Sequence, residues 1–429
     1  MSFSEGNEVA SLGEGQRKLP ISNVTKMPPK LKRFREYMVR LNATDPAYAM
    51  EHKFYVPAPG RSVADRIFTH VSLQPTASLA VVGGIGSGKT TQLLVAQRRL
   101  AKIRDTATVY VDVSAHQHLG KLKPGVLVVL AGLQLAELLG DVGDPGLKKA
   151  IKALTQAAAG YREYYDPEDF GPPDDDDDRY PGVDIPAAIT PPLPPLESTV
   201  EEYLEHLARL KSALTAKSNL VVLFDSLDRL SDLEFFATLV EQDVRGLKEA
   251  GIGVVVVGPL RVIFGAHRAT LERFDEYVHL PTVDVEKSSD GRQFLTQVLA
   301  KRIPSDVLEK KAASATAAAS GGVLRDLLSI ARSAGERAFM LSAPVVDESH
   351  VAWAADEFGR RKLFGASAEE IEILQRVRKK GTFASTSDKD LALLVTGRVL
   401  EYANGQTRFG VHPTIRPLLA DMAKVKLGS

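Results

Sequence analysis

The feature that most constrains the fold is a glycine-rich segment between two stretches with different apolar patterns. Residues Val81 to Thr91 read VVGGIGSGKTT and continue an apolar run that begins at Ser78. Behind them, TTQLLVAQRRLAKI has the apolar spacing of a helix, and ATVYVDVSAH reads as a second strand. The succession of strand, loop, helix and strand builds parallel sheets flanked by helices. We therefore expect an α/β fold around this segment.

The segment also has the composition of a phosphate-binding loop. Gly83 to Thr90 fits the pattern G-x-x-x-x-G-K-[ST] between a strand and a helix. Glycines let backbone N–H groups curl around phosphates, and the helix presents its positive N-terminal end. Lys89 would reach the β and γ oxygens, and the Thr90 hydroxyl would ligate Mg²⁺. The predicted nucleotide-contacting positions are Gly83, Gly84, Ile85, Gly86, Ser87, Gly88, Lys89, Thr90 and Thr91.

A second part of such a site is an acid at the end of a neighbouring strand. The run NLVVLFD ends at Asp225, which we expect to hold Mg²⁺ through water; capping of the following turn is the alternative. Asp228 lies three residues further along the chain. It could polarise the attacking water as the catalytic acid-base group, or pair with Arg229 on the surface.

Composition narrows the class of protein without deciding its function. The 429 residues are enough for two or three domains, and 54 Lys+Arg balance 54 Asp+Glu, so no overall field recruits nucleic acid or membrane. The absence of cysteine excludes disulfides and thiolate metal sites. The start of the chain lacks the apolar core of a signal peptide, and the run Val126 to Leu139 is too short to span a bilayer. We expect a cytoplasmic protein that binds no membrane.

The chain divides into segments of different composition. We expect a flexible arm over 1–30, a core over 31–286, a helical region over 287–365 and a final domain over 366–429. Within the core, 160–197 is rich in proline and contains five successive aspartates, which predicts a loosely held surface insertion. The final domain has helices followed by two short strands, joined by Asn404-Gly405 in a type I′ turn. Helices with one terminal hairpin suggest a winged helix.

The order of these parts resembles the AAA+ and STAND branch of P-loop ATPases over roughly residues 50 to 425. The loop also obeys the form G-x-x-G-x-G-K-T that is common in AAA+ initiators. The resemblance implies a parallel-sheet P-loop NTPase core, a helical lid and a C-terminal winged-helix domain. One departure concerns Ser226, which stands where most AAA+ proteins have a catalytic glutamate. The D-x-L-D-R pattern is closer to STAND and KAP ATPases, so fast hydrolysis is in doubt.

Further site residues are implied by the resemblance alone. Arg261 is similar to an arginine that STAND proteins place beyond the strand GVVVVGP, and Tyr55 and Val56 stand where the family packs the adenine, or are plain core. Arg273 resembles a finger that reaches a neighbouring subunit's γ-phosphate, or is an ordinary helix-end arginine. Arg325 matches the sensor 2 position of an initiator-like lid, or is a solvated helical residue.

Three functions remain open from the sequence. The first is an ATP-binding and slowly ATP-hydrolysing molecular switch, as in bacterial regulation or defence. It would change conformation, or assemble into a homo-oligomer or with a protein partner, depending on the nucleotide. The second is a DNA-associated, initiator-like or transposition-regulator-like ATPase whose winged helix binds duplex DNA. The third is a scaffold that binds nucleotide without hydrolysing it, which Ser226 permits. His116 and His118 lack a third ligand, so we expect no metal site there.

Overall fold

The computed structural model describes residues 29–42, 50, 53–60, 62–116, 119–160, 199–214, 219–384, 387–404 and 406–427. The expected arm lies almost wholly outside these residues, although its last residues begin the first helix. Nearly all of the expected insertion over 160–197 also lies outside them, as does His118.

A parallel sheet forms the centre of the molecule. It has five strands in the order β2-β3-β4-β1-β5. Apolar residues fill both faces, as expected for a parallel sheet covered by helices on each side. The strands are β1 Ser78–Gly83, β2 Thr106–Asp112, β3 Asn219–Asp225, β4 Ile252–Gly258 and β5 Glu276–Leu280.

Helices cover the two faces of the sheet and form a second unit beside it. The described helices of more than four residues before β5 are α1 Pro29–Arg40, α2 Val63–Leu73, α3 Lys89–Leu100, α4 Val126–Leu139, α5 Pro145–Gly160, α6 Val200–Ser212, α7 Leu233–Leu239 and α8 Arg245–Glu249. One face of the sheet packs on α2 and α3, and the other packs on α4 to α8. A π-helical turn at Val240–Val244 joins α7 to α8.

After β5 the chain forms helices with their own apolar core, which we call the helical unit. They are α9 Ser289–Arg302, α10 Lys310–Ala319, α11 Leu324–Met340 and α12 Glu348–Leu363. Helix α1 packs against α11, where the Tyr37 hydroxyl donates a hydrogen bond to the Ala331 carbonyl at 2.6 Å. Helix α1 therefore completes the apolar core of the helical unit.

The last part of the chain, which we call the C-terminal unit, combines helices with an antiparallel hairpin. It contains α13 Ala368–Lys380, α14 Asp388–Val395, β6 Val399–Asn404, β7 Gln406–Val411 and α15 Arg416–Leu427. The predicted hairpin is present, but its register pairs Ala403 with Thr407. A two-residue turn at Asn404-Gly405 would pair Ala403 with Gln406, so the predicted turn was wrong by one residue; Gly405 itself lies outside the described residues.

The C-terminal unit lies against both the sheet and the helical unit. Thr282, just beyond β5, forms a parallel bridge with Tyr402 of β6, and its N–H donates to the Glu401 carbonyl at 3.0 Å. The Tyr402 hydroxyl donates to the Gly321 carbonyl at 2.9 Å, next to the start of α11. The hairpin thus connects the sheet edge to the helical unit.

The strand order determines where functional side chains meet. The carboxyl ends of parallel strands lie at one edge of the sheet, and ligands bind at that edge in open α/β sheets. Gly83 ends β1 and Asp225 ends β3, with β4 between them. Of the helices in the described ranges, none has the length and apolarity needed to cross a membrane.

Candidate nucleotide-binding site

The loop between β1 and α3 has the backbone that its glycines permit. Gly86 and Gly88 have φ of +80° and +97°, in the left-handed region that side chains disfavour. Helix α3 begins at Lys89, and the residue before it, Gly88, provides no side-chain cap. The first N–H groups of a helix have no intrahelical acceptor, so they are available to an anion.

Lys89 lies at the centre of this loop and is 5% exposed. Its ammonium donates to the carbonyls of Gly83 and Gly84, both at 2.9 Å. The same Nζ lies 2.9 Å from Oδ2 of Asp228, whose side chain is 16% exposed. The sequence alternative in which Asp228 pairs with Arg229 is therefore not what the structure has.

Asp225 is buried at the end of β3 and accepts two hydrogen bonds. The Ser226 N–H donates to Oδ1 at 2.7 Å, and the Tyr110 hydroxyl donates to Oδ2 at 2.9 Å. Burial raises the pKa of Asp225 above its ordinary value, and hydrogen bonding from the side chains of Thr90 and Tyr110 and from the Ser226 backbone opposes the rise by favouring the charged form. Asp225 and Thr90, predicted on separate elements, thus line the same cavity.

Ser226 redirects the chain immediately after Asp225. It is buried and has φ of +72°, a backbone conformation that is uncommon for a residue other than glycine. The pKa of Asp112 lies below its ordinary value because hydrogen bonding from Ser226 and Ser114 outweighs the effect of burial. The one-turn helix Leu227–Arg229 follows and carries Asp228 to Lys89.

The helical unit closes over the loop at the first turn of α11. The Arg325 N–H donates to the Gly86 carbonyl at 3.3 Å. A Cβ on Gly86 would lie 2.6 Å from the Cβ of Arg325, so no side chain fits there without displacing α11. The Arg325 side chain is exposed, and in the described part of the chain nothing pairs with its guanidinium.

These elements enclose a cavity of about 360 Å³. That volume is in the range of small-molecule sites, which combine apolar walls with a few directed polar groups. Its polar side carries Lys89, Thr90, Asp225, Asp228 and Arg325. Its full lining is Asn42, Phe54, Tyr55, Val56, Ile85, Gly86, Gly88, Lys89, Thr90, Thr91, Gln92, Asp225, Ser226, Asp228, Arg229, Phe294, Val298, Arg302, Leu324, Arg325 and Leu328.

Most of the residues predicted from the sequence meet at this cavity. Tyr55 and Val56 line its apolar side, where the Phe54 ring lies 5.5 Å from the Arg302 guanidinium. Gly83 and Gly84 contribute through their carbonyls on Lys89, and Ser87 lines a neighbouring cavity. Burial raises the pKa of the half-buried Tyr55 phenol, so that group stays protonated and can donate.

Two predicted arginines lie elsewhere. Arg261 is in the one-turn helix Leu260–Ile263 that follows β4, is half-buried, and does not line the cavity. Arg273 precedes β5, is about half exposed, and forms an ion pair with Glu241 of the π-helical turn. Neither arginine therefore lines the nucleotide-binding cavity of its own chain.

Sequence reasoning missed Tyr110 and the Lys89–Asp228 pair. Tyr110 and Asp112 are two residues apart in β2 and so share the face of the sheet on which α3 lies. That alternation was visible in ATVYVDV, but the phenol was given no role because the partner strand was unknown. The ion pair depends on the backbone at Ser226, for which the sequence gives no signal.

The oxygens at the cavity fit magnesium. Mg²⁺ prefers oxygen ligands, usually one or two from side chains together with water and phosphate. The Thr90 hydroxyl and the Asp225 carboxylate are two such ligands on the lining of one cavity. Among the residues that the structure describes, at this cavity as elsewhere, no group of three or more His, Cys, Asp or Glu side chains could hold a metal ion.

Comparisons with known proteins return structural likenesses and no relative by sequence. No protein-family model and no curated protein matches the chain. The ORC2 protein of Aeropyrum pernix, solved as ADPNP–ADP complexes, aligns with a TM-score of 0.45 at 13% identity, covering 87% of this chain and 97% of that one. Drosophila ORC bound to DNA has a TM-score of 0.45 at 13% identity, covering 98% and 96%. The RuvB branch migration motor of Thermotoga maritima has a TM-score of 0.37 at 12% identity, covering 84% and 97%.

Proposed function

We propose that this protein binds ATP with magnesium, hydrolyses it slowly, and uses the bound nucleotide to control the position of its helical and C-terminal units. The supporting observation is the convergence of Lys89, Thr90, Asp225 and Asp228 on one cavity that the first turn of α11 closes. These residues come from two separate parts of the chain, and α11 is a third. A structural role alone would not require a buried ammonium, two carboxylates and a free helix N-terminus in one place.

Each residue has a defined part in this proposal. The N–H groups from Gly86 to Thr90 and the Lys89 ammonium would hold the β and γ phosphates, and Thr90 and Asp225 would hold magnesium. When bound, magnesium would neutralise charge on the phosphate oxygens. Once phosphate oxygens engage Lys89, the Asp228 carboxylate is released from its ion pair and can orient the attacking water.

The apolar side of the cavity is suited to a nucleotide base. Tyr55 and Val56 come from the segment before α2, whereas Phe294, Val298 and Leu328 come from the helical unit. A base placed there would touch both parts of the chain at once. We assign adenine to this side, as the resemblance to AAA+ and STAND ATPases implies, with Arg325 directed at the γ-phosphate as a sensor.

A connected set of contacts leads from the nucleotide to the C-terminal unit. Arg325 faces the cavity, and the next residue in the same helical turn, Asp326, is buried. Asp326 pairs with Lys362 at 3.1 Å and with His412 of the C-terminal unit at 3.2 Å. A change in the γ-phosphate that moves Arg325 would therefore also move the anchor of the C-terminal unit.

Slow hydrolysis follows from the backbone at Ser226. Its positive φ turns the chain immediately after Asp225, so the side chain at this position would be directed away from the phosphates. The remaining acid, Asp228, starts in an ion pair that ATP must first break. We also propose that the domain borders lie near residues 286 and 365 and that the C-terminal unit is a winged helix. The same proposal includes assembly of the protein into a homo-oligomer.

A second candidate function is binding of duplex DNA by the C-terminal unit. Arg376, Arg378, Lys379 and Lys380 are exposed at the end of α13, and the described residues offer them no ion-pair partner. The hairpin and the start of α15 are less suited to contact DNA phosphates. Their arginines Arg408 and Arg416 already form ion pairs with Asp284 and Glu286 of the same chain. Binding that does not weaken steeply with salt would contradict contact with DNA phosphates.

The test of the main proposal is nucleotide binding by the full chain and by Lys89→Ala. We expect the parent to bind ATP with magnesium and to release phosphate slowly, and Lys89→Ala to lose both. Light scattering with ADP and with a non-hydrolysable ATP analogue reports whether assembly depends on the nucleotide. Unchanged ATP affinity in Lys89→Ala would show that the phosphate site lies elsewhere.

A further inference from the structure

We propose that Tyr110 is a positioning residue for the magnesium-holding carboxylate, because its hydroxyl fixes one oxygen of Asp225 from the neighbouring strand. This inference rests on the proposed function. The phenol is half-buried on β2, and its oxygen lies 2.9 Å from Oδ2 of Asp225. No family resemblance assigns this residue a role.

The strand register makes the contact possible. Tyr110 is paired with Leu223, and Asp112 is paired with Asp225, so the phenol starts two residues short of the carboxylate on the same face of the sheet. A tyrosine side chain is long enough to cover that distance, whereas the shorter hydroxyl of Thr108, two residues earlier, is not. The buried hydroxyl of Thr108 has no hydrogen-bond partner in the described structure.

The hydrogen-bond donors around Asp225 determine which lone-pair sites of its carboxylate remain free. An ionised carboxylate has about four lone-pair sites. The Ser226 N–H uses one of them on Oδ1, and the Tyr110 hydroxyl uses one on Oδ2. The sites that remain are available to a water bound to magnesium. Without the phenol, the carboxylate could rotate about its terminal torsion and the direction of the free sites would no longer be fixed.

The phenol also suits the charges of the site. Asp225 is 2% exposed and has Asp228 as a like-charged neighbour. A cationic donor at Tyr110 would compete with magnesium for the carboxylate, whereas a neutral hydroxyl donates without supplying charge. Partners of metal ligands that act in this way typically contribute about 10-fold to 100-fold to metal affinity.

The experiment is a magnesium titration of nucleotide binding in Tyr110→Phe. The probe is a fluorescent ADP analogue, and the measured quantity is the magnesium concentration that gives half of the full gain in nucleotide affinity. We expect this midpoint to rise about 10-fold or more in Tyr110→Phe. Affinity in the presence of a chelator should not change, because the phosphate contacts are intact. Thr108→Val is the matched control, since it removes a hydroxyl from the same face of β2 without touching Asp225.

A double-mutant cycle with Asp225→Asn decides whether Tyr110 acts through the carboxylate. We expect Tyr110→Phe to add little in the Asp225→Asn background. Equal midpoints in the parent and Tyr110→Phe, or an equal shift in both backgrounds, would overturn the inference. Thermal unfolding of each variant checks that it is folded. If the parent itself shows no magnesium-dependent nucleotide binding, the proposed function fails first, and that result is distinct from failure of the role of Tyr110.

Discussion

Lys89 and Asp228 form an ion pair across the cavity, with Nζ 2.9 Å from Oδ2. The ammonium that would bind phosphate oxygens is therefore already engaged by a carboxylate of the same chain and by two carbonyls. In the proposed function, nucleotide would replace the carboxylate, and the replacement would free the group that we assign to water activation. Binding and preparation for hydrolysis would then be linked through one lysine.

Asp228→Asn should bind ATP more tightly and hydrolyse it more slowly. The asparagine competes less well for Lys89, so we expect affinity to rise about fivefold, equivalent to about 1 kcal/mol. Loss of the carboxylate should lower the hydrolysis rate about 100-fold or more. Equilibrium binding and phosphate release measure the two effects. Asp232→Asn, which alters the N-cap of α7 and not Lys89, is the control. Unchanged hydrolysis would mean that another group activates the water.

Gly86→Ala and Gly84→Ala should differ sharply although they are two residues apart. At Gly86 an added methyl group meets Arg325 and is held at φ of +80°, whereas at Gly84 nothing lies within 4 Å and φ is not positive. We expect Gly86→Ala to lose about 1–3 kcal/mol of unfolding free energy and to bind nucleotide weakly. Gly84→Ala should resemble the parent in thermal unfolding and in nucleotide affinity. Equal behaviour of the two variants would argue against close contact between α11 and the loop.

Arg325→Ala should lower hydrolysis more than it weakens ADP binding. The guanidinium is exposed at the cavity, and a sensor of the γ-phosphate has nothing to contact in ADP. We expect a loss of about 100-fold in the hydrolysis rate, as for removal of a donor that acts on transition-state charge. Arg332→Ala is the control on the same helix, since Arg332 pairs with Glu336 on the exposed side. Equal loss of ATP and ADP affinity would point to a contact with the base or the β-phosphate instead.

Arg273→Ala should reduce hydrolysis only where subunits assemble. In the single chain Arg273 is paired with Glu241, so its removal leaves the cavity of its own chain intact. We expect the hydrolysis rate per subunit to fall at high protein concentration and not at low concentration. Glu241→Gln, which releases Arg273, should raise the rate, and Arg268→Ala, an exposed neighbour, should leave it unchanged. A mixture of Arg273→Ala with Lys89→Ala should recover activity if sites are shared; failure to recover, with no assembly on ATP, would contradict the finger role.

Contact between the C-terminal unit and the core should weaken in acid. Arg408 donates to Asp284 from Nε at 3.2 Å and from Nη2 at 2.6 Å. Burial alone would raise the pKa of Asp284, but the hydrogen bonds and charge of Arg408 hold it below the ordinary value of 3.8. A folded pKa below the unfolded one stabilises the contact above the unfolded value, and the effect is lost as pH falls through the folded pKa.

Limited proteolysis at pH values from about 5 down to well below 3.8 measures this loss. We expect Asp284→Asn to release the C-terminal unit more readily at neutral pH and to change less on acidification than the parent. Asp290→Asn, which removes an exposed carboxylate nearby, is the control. A parent that shows no change across this range would mean that Arg408 does not hold the unit in place.

Local patterns were sufficient to predict the sheet and the loop. The glycine-rich segment and the acidic strand end are each encoded within about ten residues, and parallel pairing brings their ends to one edge. That edge brings Thr90 and Asp225 to one cavity. Lys89 is the first residue of α3, and its contact with phosphate stays a prediction.

Contacts that depend on distant parts of the chain were not predictable in the same way. The meeting of Tyr110 with Asp225 depends on the register of two strands that are separated by more than a hundred residues. The backbone at Ser226 depends on its burial and on Asp112, against the usual preference of serine. Arg261 was placed by order along the chain, and the one-turn helix after β4 keeps it away from the cavity.

The bridge between Thr282 and Tyr402 has a consequence for how the core could be isolated. Strand β5 is an edge of the sheet, and the hairpin of the C-terminal unit pairs with the chain just beyond it. Leu260 and Val323 are buried in clusters that this unit completes. A protein truncated after α12 would expose unpaired backbone groups beside apolar side chains that are no longer covered. An exposed sheet edge of this kind promotes edge-to-edge association between molecules. In the present chain, β6 and β7 cover the sheet edge at β5 and so oppose aggregation through that edge.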